Sequence, residues 1–329
     1  MIRKKRYLLA ASVSMLSVSG AALFAAPAIA DDSLSPDSAT PADVSALVAE
    51  AVDSAGVSAT AASGGSAVDV NVPKDAAEGV VVQVADGLDF TVATPIGVFT
   101  DQGMTTADGS TVYTGEDGHP DVAVTPLQGG VRISTVLWDE SHATSFDYPL
   151  PEGVNAEVLP DGSVELTRAL EVAGTAGEVA AVVGQVEPAW AVDADGNTVP
   201  TTYVVSNGIL TQEVDTAGAA FPVVADPTWG FTSPIQVRVR WNRAETATIA
   251  NGGWGASGIT GVCAGAGAAL GGPAGAAAFG AGCLATSGPA VYTAGVAQNS
   301  SPKRCLEGFL TYIPGVSLII PWYGTYACR

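Results

Sequence analysis

Basic side chains are scarce in this chain. Between Asp31 and Phe231 there are three, Lys74, Arg132 and Arg168, against 31 acidic ones, a net −28. A surface that acidic repels phosphate backbones, which excludes nucleic acid as a partner. There are two histidines, His119 and His142, and no metal-ligand spacing joins them. There are four cysteines and no C-x-x-C pair, so zinc or thioredoxin-type chemistry has little basis. The chain has no phosphate loop, nucleophile elbow or dinucleotide fingerprint. From Thr246 to Pro302 it has no Asp, Glu, Lys, Arg or His at all. No cofactor, no metal and no enzymatic activity are expected.

The basic residues that do occur mark two other segments. Arg3, Lys4, Lys5 and Arg6 precede the uncharged, mostly apolar run Leu8–Phe24, and Ala28-Ile-Ala30 supplies small residues for cleavage. Residues 1–30 therefore read as a secretory signal peptide, with the protein secreted after cleavage near Ala30. A retained anchor is the competing reading. Without the signal, nine basic and 33 acidic residues leave a net −24. The second segment is the tail, 230–329. From Thr232 onward it carries six basic residues, Arg238, Arg240, Arg243, Lys303, Arg304 and Arg329, against Glu245 and Glu307, together with all four cysteines. An acidic body followed by a basic, cysteine-bearing tail implies two modules with different tasks.

Residues 31–65 are rich in Ser, Ala, Thr, Asp and Pro and read as a mobile lead-in. One helix interrupts it. Pro41 suits a first turn, and Val44, Leu47, Val48, Ala51 and Val52 recur at helical spacing. From 66 to 229 the period becomes two, as in Val68-Asp-Val-Asn-Val72, and in Val131 and Ile133 with their neighbours. Turn dipeptides punctuate the run: Asp86-Gly87, Asp108-Gly109, Asp117-Gly118, Asp161-Gly162, Asp195-Gly196 and Asn207-Gly208. These tolerate the positive φ of tight hairpins, so the pattern predicts an antiparallel β-sandwich.

Trp190-Ala-Val-Asp-Ala-Asp-Gly196, Thr202-Tyr-Val204, Leu210, Val214-Asp215 and Phe221-Pro-Val-Val-Ala-Asp-Pro-Thr-Trp229 form a recognisable series. It resembles the β-rich domain of secreted actinobacterial proteins that ends in a Pro-Val-Val-x-Asp-Pro-Thr signature before a variable C-terminal region. The resemblance covers about 65–229. It implies the fold and the modular architecture and carries no activity.

In the tail, Pro234–Trp241 alternates: Ile235, Val237, Val239 and Trp241 on one side, Gln236, Arg238 and Arg240 on the other. This predicts a half-buried strand with a basic outer face. Asn242-Arg-Ala-Glu245 fits a capping box that starts a helix. A helical hairpin over 242–298 follows, with 28 Gly or Ala among the 46 residues Gly252–Ala297 and a turn at Gly271-Gly-Pro273. Its large hydrocarbon side chains, Ile259, Val262, Leu270, Phe279, Leu284, Val291 and Val296, supply only about −2 to −4 kcal/mol toward membrane insertion. A close-packed soluble hairpin is the expected state, and a membrane-active one the alternative.

Two strands, Lys303–Ile313 and Gly324–Cys328, close the chain around a loop at Pro314–Pro321. The fold expected is β-rich and two-domain, a β-sandwich followed by a small α/β domain. The spacing allows three disulfide pairings. Cys263 and Cys283 sit at similar heights on the hairpin legs, and Cys305 and Cys328 near the ends of the terminal strand pair, which favours Cys263–Cys283 and Cys305–Cys328.

Two constellations resemble chemistry. Asp139-Glu-Ser-His142 holds an acid, a nucleophile and a base, but adjacent strand side chains diverge, and the block reads as a turn. Asp193-Ala-Asp-Gly-Asn197 has its glycine and last acid out of place for an EF-hand, so it too reads as a turn. The function expected is a non-enzymatic extracellular interaction or envelope-associated protein. Its candidate surface is Arg238, Arg240, Arg243, Lys303 and Arg304. Its partner is an extracellular protein or envelope component, with anionic membrane contact through the tail as a further expectation. The alternative is an acidic pro-region escorting a bacteriocin-like, membrane-active C-terminal peptide.

Overall fold

The computed structural model describes residues 39–57, 61, 68–84, 88–95, 102–116, 119–253, 255–313 and 318–328. The expected signal peptide, 15 of the 35 residues of the expected lead-in and the expected turns at Asp86-Gly87 and Asp117-Gly118 lie outside them. Helix α1 (Pro41–Ala55) comes first, then strands β1 (Val68–Asn71), β2 (Val80–Val84), β3 (Leu88–Val92), β4 (Met104–Thr105), β5 (Thr111–Tyr113) and β6 (Asp121–Leu127). β7 (Gly130–Leu137), β8 (Ser145–Pro149), β9 (Val154–Val158), β10 (Val164–Ala169), β11 (Glu178–Val186) and β12 (Ala191–Val192) continue the chain. β13 (Thr201–Ser206), β14 (Ile209–Val214), β15 (Val223–Ala225) and β16 (Thr228–Arg240) complete the run. Helices α2 (Arg243–Ala250), α3 (Gly255–Ala285) and α4 (Ser287–Asn299) precede β17 (Cys305–Ile313) and β18 (Leu318–Tyr326).

Large antiparallel sheets dominate, followed by a cluster of helices. One twelve-stranded sheet has the path β4-β5-β6-β7-β16-β11-β10-β9, with β15 and β12 attached at β7, and β17 and β18 at β16. Two three-stranded sheets, β1-β2-β3 and β13-β14-β8, supply further core residues. The first core joins Val82 and Phe90 from one small sheet, Tyr148, Tyr203 and Leu210 from the other, and Ile133, Leu166, Trp229 and Phe231 from the large sheet. Phe90 stacks on Phe231 at 4.7 Å. The expected turns within the described residues form, as at Asn207-Gly208, where both residues take positive φ, 51° and 77°.

Helix α1 lies where periodicity placed it. Thr40 and Asp43 close a capping box, and the helix stops at Gly56. Val44, Val48 and Ala51 pack on Val112, Val136 and Val224 of the large sheet and on Trp138 just past the end of β7. Strand β7 is thereby buried along its whole length, with Ile133 in the first core and Val136 beneath α1.

The signature segment Phe221–Trp229 anchors to β7 through its polar residues. Val223, Val224 and Ala225 pair with Leu137, Val136 and Thr135. Buried Asp226 accepts from the Thr228 hydroxyl at 2.5 Å, and the Arg132 Nε donates to the same hydroxyl at 3.0 Å. Burial pushes the Asp226 carboxyl up to about 7, against the pull of the Thr228 hydrogen bond and the Arg132 charge.

A second core lies over the outer part of the large sheet. Val179, Val237, Val239, Trp241, Leu306 and Leu310 meet Ile249, Ile259, Val262 and Phe279 from the helices. The expected capping box forms, with the Glu245 amide donating to Asn242 Oδ1 at 2.9 Å and the Asn242 amide to Glu245 Oε2 at 3.0 Å. Helix α3 folds back on itself at Gly272, whose φ is +58°. On a straight helix Cys263 and Cys283 would be about 30 Å apart. Their Cα atoms are 6.3 Å apart, and the sulfurs are bonded. The legs touch at glycines: a Cβ on Gly275 would sit 2.2 Å from the Gly267 carbonyl oxygen. Cys305–Cys328 is the second disulfide, as expected. Among the described residues, no helix is long and apolar enough to cross a membrane.

Strand β16 links the two cores. Trp229 and Phe231 belong to the first, Val237, Val239 and Trp241 to the second. Phe231 faces Gly184 and Gln236 faces Val182, so β16 advances five residues while β11 advances two. The expected boundary at 229/230 thus falls inside a strand of the shared sheet. The last strand also differs from expectation. It starts at Leu318, inside the expected loop, because Thr311 and Leu310 take Ile320 and Pro321 as partners. Pro321 is tolerated there because, among the described residues, β18 pairs with β17 alone and forms the end of that branch of the sheet.

Two substitutions test these packing arguments. Gly275→Ala should lower unfolding free energy by about 1–3 kcal/mol, because the methyl meets backbone rather than a movable side chain; urea unfolding measures it. Asp226 binds its proton more tightly folded than unfolded. Its contribution to stability is therefore full below its ordinary pKa of 3.8 and is lost as pH rises toward about 7. Across that window the wild-type chain should lose stability relative to Asp226→Asn, and parallel pH–stability curves would refute the assignment.

A candidate binding cleft where tail meets body

The register across β11, β16, β17 and β18 lines side chains into rows. Ala180, Arg238, Phe309 and Trp322 form one row, Glu178, Arg240, Glu307 and Gly324 the next, and Val182, Gln236, Thr311 and Ile320 a third. Alternation puts all three rows on the face opposite Val237, Val239 and Trp241. Gln236 Nε2 donates to Thr311 Oγ1 at 3.1 Å within its row.

This face was expected to be basic and open to solvent at Arg238 and Arg240. It is not. Both arginines are buried, at 3% and 8% exposure. Arg238 Nη2 donates to Glu178 Oε1 at 2.9 Å, Arg238 also donates to Glu165, and its Nη1 lies 3.6 Å from Glu157 Oε2. Arg240 Nη1 donates to Glu157 Oε2 at 2.5 Å and Nε to Glu307 Oε2 at 3.3 Å. The Arg240 guanidinium also lies 5.0 Å over the Tyr326 ring. Burial alone would lower the Arg240 pKa, but Glu157, Glu307 and Glu178 outweigh it and hold the value above the ordinary one. Three of the four carboxylates come from β9, β10 and β11 of the body. The alternation identified the correct face; what the sequence did not show is that the body supplies its counter-charges.

Beside the pairs lies a cavity of about 330 Å³, lined among others by Leu150, Asn155, Glu157, Glu178, Arg238 and Arg240. Next along the sheet stands an aromatic pair, Phe309 and Trp322, stacked at 4.2 Å with ring planes 7° apart. Trp322 and Ile320 are half exposed, at 49% and 47%. Neither was singled out from sequence, because Ile320 fell in the expected loop Pro314–Pro321 and Trp322 between that loop and the expected last strand.

The remaining candidate cations are scattered. Arg243 is exposed on the first turn of α2, and Lys303 is exposed before β17. Arg304 clamps the end of β18, donating from Nε to Thr325 Oγ1 at 2.9 Å and from Nη2 to the Thr325 carbonyl at 2.7 Å. The five basic residues therefore do not form one exposed patch. The two catalysis-like blocks are turns, as expected. Ser141 Oγ donates to Asp139 Oδ1 at 2.6 Å, and His142 Nδ1 lies 3.4 Å from the same oxygen. Asp193 Oδ1 accepts the Asp195 and Asn197 amides at 3.0 and 2.8 Å. Among the described residues, no group of three or more His, Cys, Asp or Glu side chains is placed to hold a metal ion.

Compared with known protein families and with curated proteins, the chain matches none at a significant level.

Truncating one member of the buried ion-pair cluster strands its partners. Arg238→Ala should cost on the order of 3–5 kcal/mol. Arg243→Ala, on an exposed turn, should stay within about 0.5 kcal/mol of wild type. Chemical denaturation of both variants separates the two roles, and equal effects would contradict the assignment.

Proposed function

We propose that this is an exported, non-enzymatic binding protein of the cell envelope or its surroundings, as the resemblance to secreted actinobacterial β-rich proteins suggests. In this reading the body is a β-sandwich, and the tail is a small α/β module grafted to it through β16. The observation that carries the reading is the half-exposed Trp322, held by stacking on Phe309, with half-exposed Ile320 next to it on the same strand and the cavity near by. Rigid, exposed aromatic side chains on a well-packed sheet are what binding surfaces use as anchors, and such patches on otherwise polar proteins mark contact sites.

A second reading, a membrane-active tail kept inert by the body, draws support from Leu284, Tyr292 and Val296, exposed on helices that carry no Asp, Glu, Lys, Arg or His. Against it weighs β16, whose two ends lie in different cores and whose arginines pair with body glutamates. Cleavage near Trp229 would cut a strand rather than a linker.

The test uses the chain from Asp31 to Arg329 with both disulfides intact. It should co-sediment with envelopes isolated from the producing cells, and Trp322→Ala should reduce the bound fraction about tenfold or more, as for loss of a tryptophan anchor. Equal retention of both proteins would sink the proposed surface. Release of dye from phosphatidylglycerol vesicles by the tail would favour the second reading.

A further inference from the structure

We propose that the cavity and the aromatic pair beside it form one continuous surface for a neutral polysaccharide chain. The proposal deepens the reading above and rests on it.

Three features select this ligand class. The first is the aromatic pair. One face of the Trp322 indole is backed by Phe309, so the ring is held in place while half of the side chain stays exposed. A pyranose ring presents a face of C–H groups that packs on an aromatic plane, and it keeps its hydroxyls at the rim. The second is the polar part of the cavity lining. Sugar hydroxyls both donate and accept. The guanidiniums of Arg238 and Arg240 are taken up by their carboxylates, but the partly exposed carboxylates of Glu157 and Glu178 keep lone pairs for further donors, and the Asn155 amide both donates and accepts. The third is reach. Arg238, Phe309 and Trp322 stand in register on three neighbouring strands, about 10 Å from first to last. That is the span of two linked sugar rings, one over the tryptophan and one at the cavity mouth.

Charge argues against the other occupants. Four carboxylates surround two guanidiniums, so the cluster is net negative and disfavours phosphates, uronic acids and anionic lipid. A cationic ligand would have to displace Arg238 or Arg240 from the same carboxylates. A second strand, from a peptide or another copy, would meet Pro321 in the middle of β18, where the edge has no N–H to offer. A neutral, hydroxyl-rich chain incurs none of these penalties.

The mature chain would be titrated with cellohexaose, mannohexaose and dextran by calorimetry, with tryptophan fluorescence in parallel. At least one should bind. Trp322→Ala should weaken that binding tenfold or more, Trp322→Tyr should restore most of it, and polygalacturonate should not compete. An unchanged urea midpoint for Trp322→Ala guards against misfolding as the cause. Failure of all three glycans to bind at millimolar concentration overturns the proposal, as does equal binding by Trp322→Ala. Trp322-dependent envelope retention without glycan binding would leave the binding-protein reading standing and remove the glycan. Trp322-dependent binding of polygalacturonate or phosphatidylglycerol vesicles would replace the glycan with an anionic ligand.

Discussion

Arg238 and Arg240 lie on the strand that joins the two cores, and their charges are balanced by glutamates from both sides of the junction. Buried guanidiniums are tolerable only when carboxylates are close and well aligned, because desolvation is otherwise prohibitive. Glu157, Glu165 and Glu178 come from the body and Glu307 from the tail, so the cluster forms only when β9, β10, β11, β16 and β17 occupy one sheet. The position of β17, and through it of β18 with Trp322, depends on that arrangement. The proposed binding surface at the sheet's end therefore rests on a sheet whose middle is held by ion pairs.

The rest of the tail is organised around a shortage of large apolar side chains. A hairpin built mostly of Gly and Ala gains little from burying side-chain area, so it packs by close backbone approach, as at Gly267 and Gly275. Two disulfides add restraint where core volume is thin, and Trp241, Phe279 and Ile259 fill the space between helices and sheet. The body shows the opposite economy. Its sheets bury large aromatic and aliphatic side chains on both faces of β7, and its acidic residues occupy turns and outer positions. Among the described residues the exceptions include Asp121, buried where it accepts from the Gly115 amide and Trp138 Nε1, and Asp226, which ties the signature segment to β7 through Thr228 and Arg132.

Much of the architecture was legible in the sequence. Hydrophobic period located α1 and most strands, turn dipeptides located the hairpins, and Asn242 with Glu245 located the start of α2. Gly271-Gly-Pro273 marked the fold-back, and with it the Cys263–Cys283 pair, because a helical reversal brings residues at equal height together. These are local signals, set by backbone geometry and the side chains within a few residues.

The candidate site was legible only in part. Alternation along Pro234–Trp241 established which side chains share a face, since that follows from the pleat of a single strand. It could not say what covers the face, because Glu157, Glu165 and Glu178 lie 60 to 83 residues away in sequence and come into reach only through strand pairing. The same limit hid the aromatic pair: Phe309 and Trp322 meet because β18 pairs back along β17, beyond the point where a proline had indicated a loop. Composition, period and turn chemistry thus determined the elements and the charge split by themselves. Which charges are buried, and which aromatics face outward, was decided by long-range strand order, a property of the folded sheet and not of any one segment.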